Sequence, residues 1–228
     1  MNQDEKMFNN KAEDLANNNH ISGMQNKINA LSLSHPTDFM FDSNLLKQIK
    51  PESFKFQYDK YELVEDSVKN ECYVDLGDGL ALRPLKRDDY EKEYMKLLEQ
   101  LTEVGKVTKE DYIKRFDEMK SAPNAYYICV VEDLNAKKIV ASLTLVYEMK
   151  FFRSTSARGR IEDMVVDSAY RGKKLSKLLL DFHTQLSQIL GCYKISLECK
   201  DHLKKHYEQF DFVTEQAQNY LCRRFVPK

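Results

Sequence analysis

The sequence has no excess of either charge, no long apolar run and no clustered metal ligands. Lysine plus arginine (35) balance aspartate plus glutamate (36). That balance excludes a molecule-wide field of the kind that recruits nucleic acid or a membrane surface. No run approaches the ~20 apolar residues of a membrane span. The first residues are Asn-rich and charged, and they lack the apolar core of a secretion signal. Five cysteines (Cys72, Cys129, Cys192, Cys199 and Cys222) are an odd number without a Cys-x-x-Cys pair. Reduced thiols and a cytoplasmic location are therefore expected. A zinc site needs grouped Cys and His ligands, so no metal is expected. His202 and His206 are spaced for one helix face, but they have no glutamate between them and no third ligand, so they read as a solvated face.

What is present is enough for one sizeable domain with tails: 228 residues, 42% of them apolar. Residues 1–39 are polar and have little periodicity, so a flexible tail is expected. Residues 40–76 form an N-terminal segment and linker. A short helix is expected over 41–49, capped by Asp42 or Ser43, with Leu45, Leu46 and Ile49 on one face. Residues 50–71 give no regular pattern. The main domain is expected over 77–228. It begins with a turn at Gly77-Asp78-Gly79 and a strand over 80–85. A helix over 88–101 and a second one capped by Thr108 follow, the latter with Tyr112, Ile113, Phe116 and Met119 as its stripe. Runs over 126–132 and 139–149 read as a hairpin. A strand over 161–166 leads to a helix bearing Leu175, Leu178, Leu179, Phe182, Leu186 and Ile189, which Gly191 stops. A strand over 193–199, a short helix over 201–209 and a last strand over 220–226 complete the chain. The order β-α-α-β-β-β-α-β-α-β predicts an α/β (α+β) domain, a mixed sheet with helices on its faces.

The most informative stretch is residues 161–176. Met164, Val165 and Val166 form an apolar strand that runs into Arg171-Gly172-Lys173-Lys174-Leu175-Ser176 and an amphipathic helix. A basic turn at a helix N-terminus presents unpaired N–H groups and the positive end of the dipole to an anion. Glu162 and Asp163 stand just before that strand. The combination points to acyl transfer from a pyrophosphate-bearing donor such as acetyl-CoA.

Together with Gly79-Leu80-Ala81-Leu82-Arg83-Pro84-Leu85, Gln100-Leu101-Thr102-Glu103-Val104-Gly105, Arg158-Gly159-Arg160-Ile161-Glu162-Asp163 and Cys222-Arg223-Arg224-Phe225, this stretch resembles the GNAT acetyltransferase superfamily. More narrowly, it resembles the glucosamine 6-phosphate N-acetyltransferase family. The likeness runs from about residue 40 to the C-terminus.

The resemblance implies a twisted sheet splayed between the strands over 161–166 and 193–199, and a homodimer with shared active sites. It implies that Met164, Val165 and Val166 pair with the donor's pantetheine arm. Arg171, Gly172, Lys173, Lys174, Leu175 and Ser176 would bind its pyrophosphate, and Tyr207 would face its sulfur. A backbone carbonyl, a water, or the carboxylates of Glu162, Asp163 and Glu198 would orient the sugar amine and take its proton. Thr102, Lys150, Tyr193, Lys194 and Arg223 would bind the sugar phosphate. The chain departs from the superfamily motif at Ser176, where glycine or alanine is preferred, and at Lys174, where the superfamily has glycine but the narrower family varies. It also departs at Leu203 (usually asparagine), Asp211 (usually glycine) and Arg153 (usually histidine). Two other readings stay open: the same fold acting on another amine, and a catalytically weak CoA-binding paralogue.

Overall fold

A computed structural model describes residues 38–225, and the expectations for residues 1–37 and 226–228 fall outside the described residues. Its centre is a seven-stranded sheet whose spatial order follows the sequence. The strands are β1 (Glu62–Asp66), β2 (Glu71–Gly77), β3 (Leu80–Pro84), β4 (Tyr126–Asp133), β5 (Lys138–Met149), β6 (Ala157–Val166) and β7 (Cys192–Ser196). Every neighbouring pair is antiparallel except β6–β7, which is parallel. Among the described residues, the α-helices of five or more residues are α1 (Tyr94–Glu99), α2 (Lys109–Ser121), α3 (Leu175–Ile189) and α4 (Lys204–Glu208). The crossover from β6 to β7 runs through α3, as a parallel pair requires.

The core follows from the apolar runs. In β4, Tyr127, Ile128, Cys129, Val130 and Val131 are all at most 4% exposed, so both faces of the sheet are covered. Tyr94 and Leu97 of α1 and Tyr112 and Phe116 of α2 pack with Ile128, Val130 and Val165. The apolar stripe of α3 packs on β5, β6 and β7. Each such large side chain contributes roughly 1.5–3 kcal/mol on burial. Thr108 and Asp111 form a reciprocal capping box that starts α2.

One buried ion cluster ties the first half together. The Arg83 guanidinium donates to both Asp89 oxygens (2.8 and 2.7 Å) and through Nε to Glu132 (2.9 Å). Lys92 reaches the other Glu132 oxygen at 2.9 Å. Burial opposes the arginine's charge, but Asp89 and Glu132 outweigh it and hold the guanidinium protonated.

The structure differs from several sequence expectations. The helix over 88–101 is broken: a 3-10 turn (Asp89–Lys92) ends at Glu93, which is left-handed (φ 62°), and only then does α1 begin. The short helix near residue 45 is 3-10 (Ser43–Gln48), with Asp42 accepting from the Asn44 N–H at 2.9 Å. β1 lies in the region that gave no pattern, and β2 follows it. They are a half-exposed edge hairpin, and their charged residues hide the strand alternation. Phe39, placed in the tail by composition, is 2% exposed and bridges to Lys86. β7 stops at Ser196 rather than residue 199. The strand expected over 220–226 is not formed through residue 225, where the chain is irregular and Leu221 is 90% exposed. Among the described residues no strand lies beside it to supply the pairing a strand needs.

Candidate active site

The site is built where β6 leaves β7. Their parallel register ends at Arg160↔Ser196. Beyond that point residues 161–166 keep β5 on one side and have no strand on the other among the described residues, so the backbone edge faces an opening. A β-bulge sits at the same place. Ser142 pairs with Val165 and Thr144 with Glu162, so Asp163 and Met164 together oppose Leu143. Asp163 takes a left-handed conformation (φ 51°), which is unusual within a strand. Gly159 lets the strands close just before the opening, because a Cβ there would sit 2.8 Å from both Ile195 and Leu145.

Below the opening, β6 feeds the anion loop. Lys174 is left-handed (φ 59°) at the N-cap of α3, and Gly172 has φ 85°. The first intrahelical bond is Leu178 N–H to Lys174 O at 3.0 Å. The N–H groups of Leu175, Ser176 and Lys177 therefore have no intrahelical acceptor. Arg171, Lys173 and Lys174 are exposed around them, Lys173 lying 3.9 Å from Asp78. This loop has the donors and charge that a pyrophosphate requires.

The carboxylates divide. Glu162 and Glu198 come together on Arg160, at 2.7 and 3.0 Å from its Nη2. Glu162 raises the guanidinium's pKa, opposed by partial burial. Asp163 has no hydrogen-bond or ion-pair partner among the described residues. Partial desolvation, and then the neighbouring Glu162 charge, raise its carboxyl above the ordinary aspartate range. Tyr207 lies in α4, is 7% exposed, and has its hydroxyl raised by burial and by nearby Cys199.

The expected sugar-phosphate residues each have a partner or setting of their own. Lys150 pairs with Glu148 at 2.8 Å and Lys194 with Glu215 at 3.3 Å. Arg223 is exposed and lies over the Phe225 ring at 5.3 Å. Thr102 is exposed just after α1. Tyr193 is 37% exposed beside Phe152 and Arg153. Arg153 itself opens a run of three left-handed residues, Arg153, Ser154 and Thr155 (φ 55°, 55° and 57°).

Two residues were missed in the sequence. Arg160 had a readable signal, since strand alternation puts it on the same face as Glu162. Tyr220 had none; its hydroxyl lies by Cys222 and Glu198, and both raise its pKa. His206 departs from the solvated reading. It is half-buried between Tyr207 and Phe210, its Nε2 has no partner, and burial lowers its pKa. No group of three or more potential metal ligands occurs among the described residues, and no described helix is long and apolar enough to cross a membrane.

Residues 85–212 match the acetyltransferase (GNAT) family. A probable glucosamine 6-phosphate N-acetyltransferase of Drosophila melanogaster is 43% identical over 134 residues, 59% of this chain and 61% of that protein. Glucosamine 6-phosphate N-acetyltransferase 1 of Dictyostelium discoideum is 40% identical over 153 residues, 67% of this chain and 97% of its own. The crystal structure of glucosamine-6-phosphate N-acetyltransferase from Arabidopsis thaliana superposes with a TM-score of 0.61 at 36% identity. It covers 64% of this chain and 99% of its own.

Proposed function

The chain belongs to the acetyltransferase (GNAT) family, and from that premise we propose that it transfers acetyl from acetyl-CoA to the 2-amine of glucosamine 6-phosphate. The observation that carries this reading is the opening between β6 and β7, which joins a free strand edge, a bulge with two carboxylates and an anion loop in one line. The edge over Met164, Val165 and Val166 would hold the pantetheine arm by backbone pairing. The anion loop, Arg171 to Ser176, would hold the pyrophosphate.

Asp163 is the carboxylate best placed to take the amine proton, because it is unpaired and its affinity for a proton is raised. Glu162 and Glu198, fixed by Arg160, would orient the amine. The Met164 N–H in the bulge would stabilise charge developing on the thioester oxygen. Tyr207 would donate to the departing thiolate, where its raised pKa keeps it protonated at neutral pH. The sugar phosphate would bind Arg223, Lys194, Lys150 and Thr102, with Tyr193 beside them. In this reading the protein is a homodimer, and a second copy completes each site. Exposed Tyr220 (65%), Leu221 (90%) and Phe225 (77%) supply an apolar contact surface for that copy. The product would enter UDP-N-acetylglucosamine synthesis in the cytoplasm.

The test is thiol release from acetyl-CoA with glucosamine 6-phosphate set against unphosphorylated glucosamine. Release that depends on the phosphorylated sugar is expected. Release with another amine but neither sugar would move the acceptor elsewhere. CoA binding without release would leave a paralogue that binds but does not turn over.

A further inference from the structure

We infer that residues 50–61 form a clasp that sets the position of Tyr207, with Phe56 as a positioning residue. The inference deepens the proposed function and rests on its reading of Tyr207 as the donor to the departing thiolate. The segment has little regular structure, a 3-10 turn at Pro51–Ser53 and otherwise loop. It is nevertheless fastened at many points to one helix. Asp181 of α3, 4% exposed, accepts from the Lys55 N–H (2.9 Å), the Phe56 N–H (3.3 Å) and the Tyr58 hydroxyl (2.7 Å). One turn further along α3, Gln185 accepts from the Lys50 N–H (2.8 Å) and donates to the Lys50 carbonyl (2.6 Å) and Ser53 Oγ (3.2 Å). A buried carboxylate with three donors and a side-chain amide with three partners fix the clasp's backbone to α3.

The far side of the clasp reaches α4. The Phe56 ring lies 5.2 Å from the Phe210 ring, and Lys55 Nζ pairs with Asp211 at 2.5 Å. Phe56 also stacks under Lys177 Nζ at 3.8 Å, and the same ammonium donates to Gln209 at 2.9 Å. Phe56 thus sits where α3, the clasp and the end of α4 meet. From there the connection to Tyr207 is short. The Phe210 and Phe212 N–H groups both donate to the Tyr207 carbonyl, at 2.9 and 3.4 Å. The Tyr207 ring meets that of Phe212 at 6.0 Å.

The reason α4 needs such support is its length. It has five residues, far below the ~12–15 at which an isolated helix becomes even marginally stable. Its position is therefore decided by what it packs against, and the turn that follows it is held by Phe56 and Lys55. At its other end the clasp also borders the anion loop, since Tyr58 and Lys60 line a pocket with Lys173, Lys174 and Leu175. One segment therefore spans from the pyrophosphate loop to the residue facing the thiolate.

The experiment is a kinetic double-mutant cycle on the full chain with acetyl-CoA and glucosamine 6-phosphate: Phe56→Ala, Tyr207→Phe, both together, and Phe56→Tyr. Phe56→Ala is expected to lower kcat by about 10- to 100-fold with the sugar-phosphate KM unchanged, since a misplacement of about 1 Å can cost about a hundredfold and a smaller one less. In the Tyr207→Phe background the same change should lower kcat by less than about twofold, because its route of action is already gone. Phe56→Tyr keeps the ring and should restore kcat. A merely structural contact would multiply with Tyr207→Phe instead, and that result would overturn the clasp. So would near-normal kcat in Phe56→Ala beside an impaired Tyr207→Phe. Wild-type kcat in Tyr207→Phe would instead remove the reading of Tyr207 on which the clasp depends.

Discussion

Acidification should unfold this protein partly through one histidine with no place in the proposed chemistry. His183 lies in α3 and is fully buried. Its Nδ1 bonds to the Leu179 carbonyl one turn back (2.7 Å), while Nε2 has no partner at hydrogen-bonding geometry, although the Tyr127 backbone is near. Burial lowers its pKa from 6.5 to about 4, against the opposing pull of the Leu179 and Tyr127 carbonyls. The depressed value means that the unfolded chain takes up the proton first as pH falls. The stability from keeping His183 neutral is complete above 6.5, and it is lost as pH drops toward 4. The full effect is about 3 kcal/mol, and about 2 kcal/mol of it falls between about pH 7.5 and about pH 5. His183→Leu removes the titrating ring and the unpaired Nε2. Urea unfolding at the two pH values should show the wild type losing about 2 kcal/mol more than the variant. Equal pH dependence in the two proteins would refute the argument, because other titrating groups are common to both.

Three further outcomes follow from single contacts. Arg83→Met leaves Asp89 and Glu132 buried with only Lys92 beside them, at 3.7 and 2.9 Å, and should cost about 3 kcal/mol in denaturant unfolding; a loss under about 1 kcal/mol would mean that Lys92 compensates or that the carboxylates are not truly desolvated. Lys174→Gly relieves a left-handed residue at the start of α3 and should raise stability by about 0.5–1 kcal/mol, seen as a higher melting temperature. An unchanged or lower value would show that the backbone there is unstrained. Leu221→Asp places a charge on the exposed C-terminal apolar surface. It should shift the protein from dimer to monomer in light scattering, and a dimer that persists would put the interface elsewhere.

Lys174 and Asp211 illustrate how far a departure from a family pattern can be judged before a structure is in hand. Lys174 stands where the superfamily motif has glycine and Asp211 where the narrower family usually does, and both are left-handed, with φ 59° and 62°. The sequence marked the positions, and the conformation explains the preference. Aspartate tolerates that conformation better than lysine does, because its short polar side chain bonds locally.

The sequence by itself determined the elements whose signal is local. The apolar period of α3, the Thr108 box, the β4–β5 hairpin and the anion loop can all be read in neighbouring residues, because helices, caps and turns are short-range structures. Glu162, Asp163 and Ser176 were singled out for the same reason, their nearness to a strand–turn–helix junction. Tertiary structure alone decided what depends on distant partners. β1 and β2 are a charged hairpin at one edge of the sheet, specified by the pairing of β2 with β3 and of β1 with β2 rather than by their own pattern. The bulge at Asp163 exists because β5 offers one residue against two. Arg160 gathers Glu198 from a segment 38 residues away, and Asp181 fastens a stretch that carries no periodicity. Such contacts depend on which surfaces the folded chain brings together, and no local propensity encodes that. The irregular C-terminal residues mark the same boundary, because a strand-forming composition makes a strand only where a neighbour supplies the hydrogen bonds.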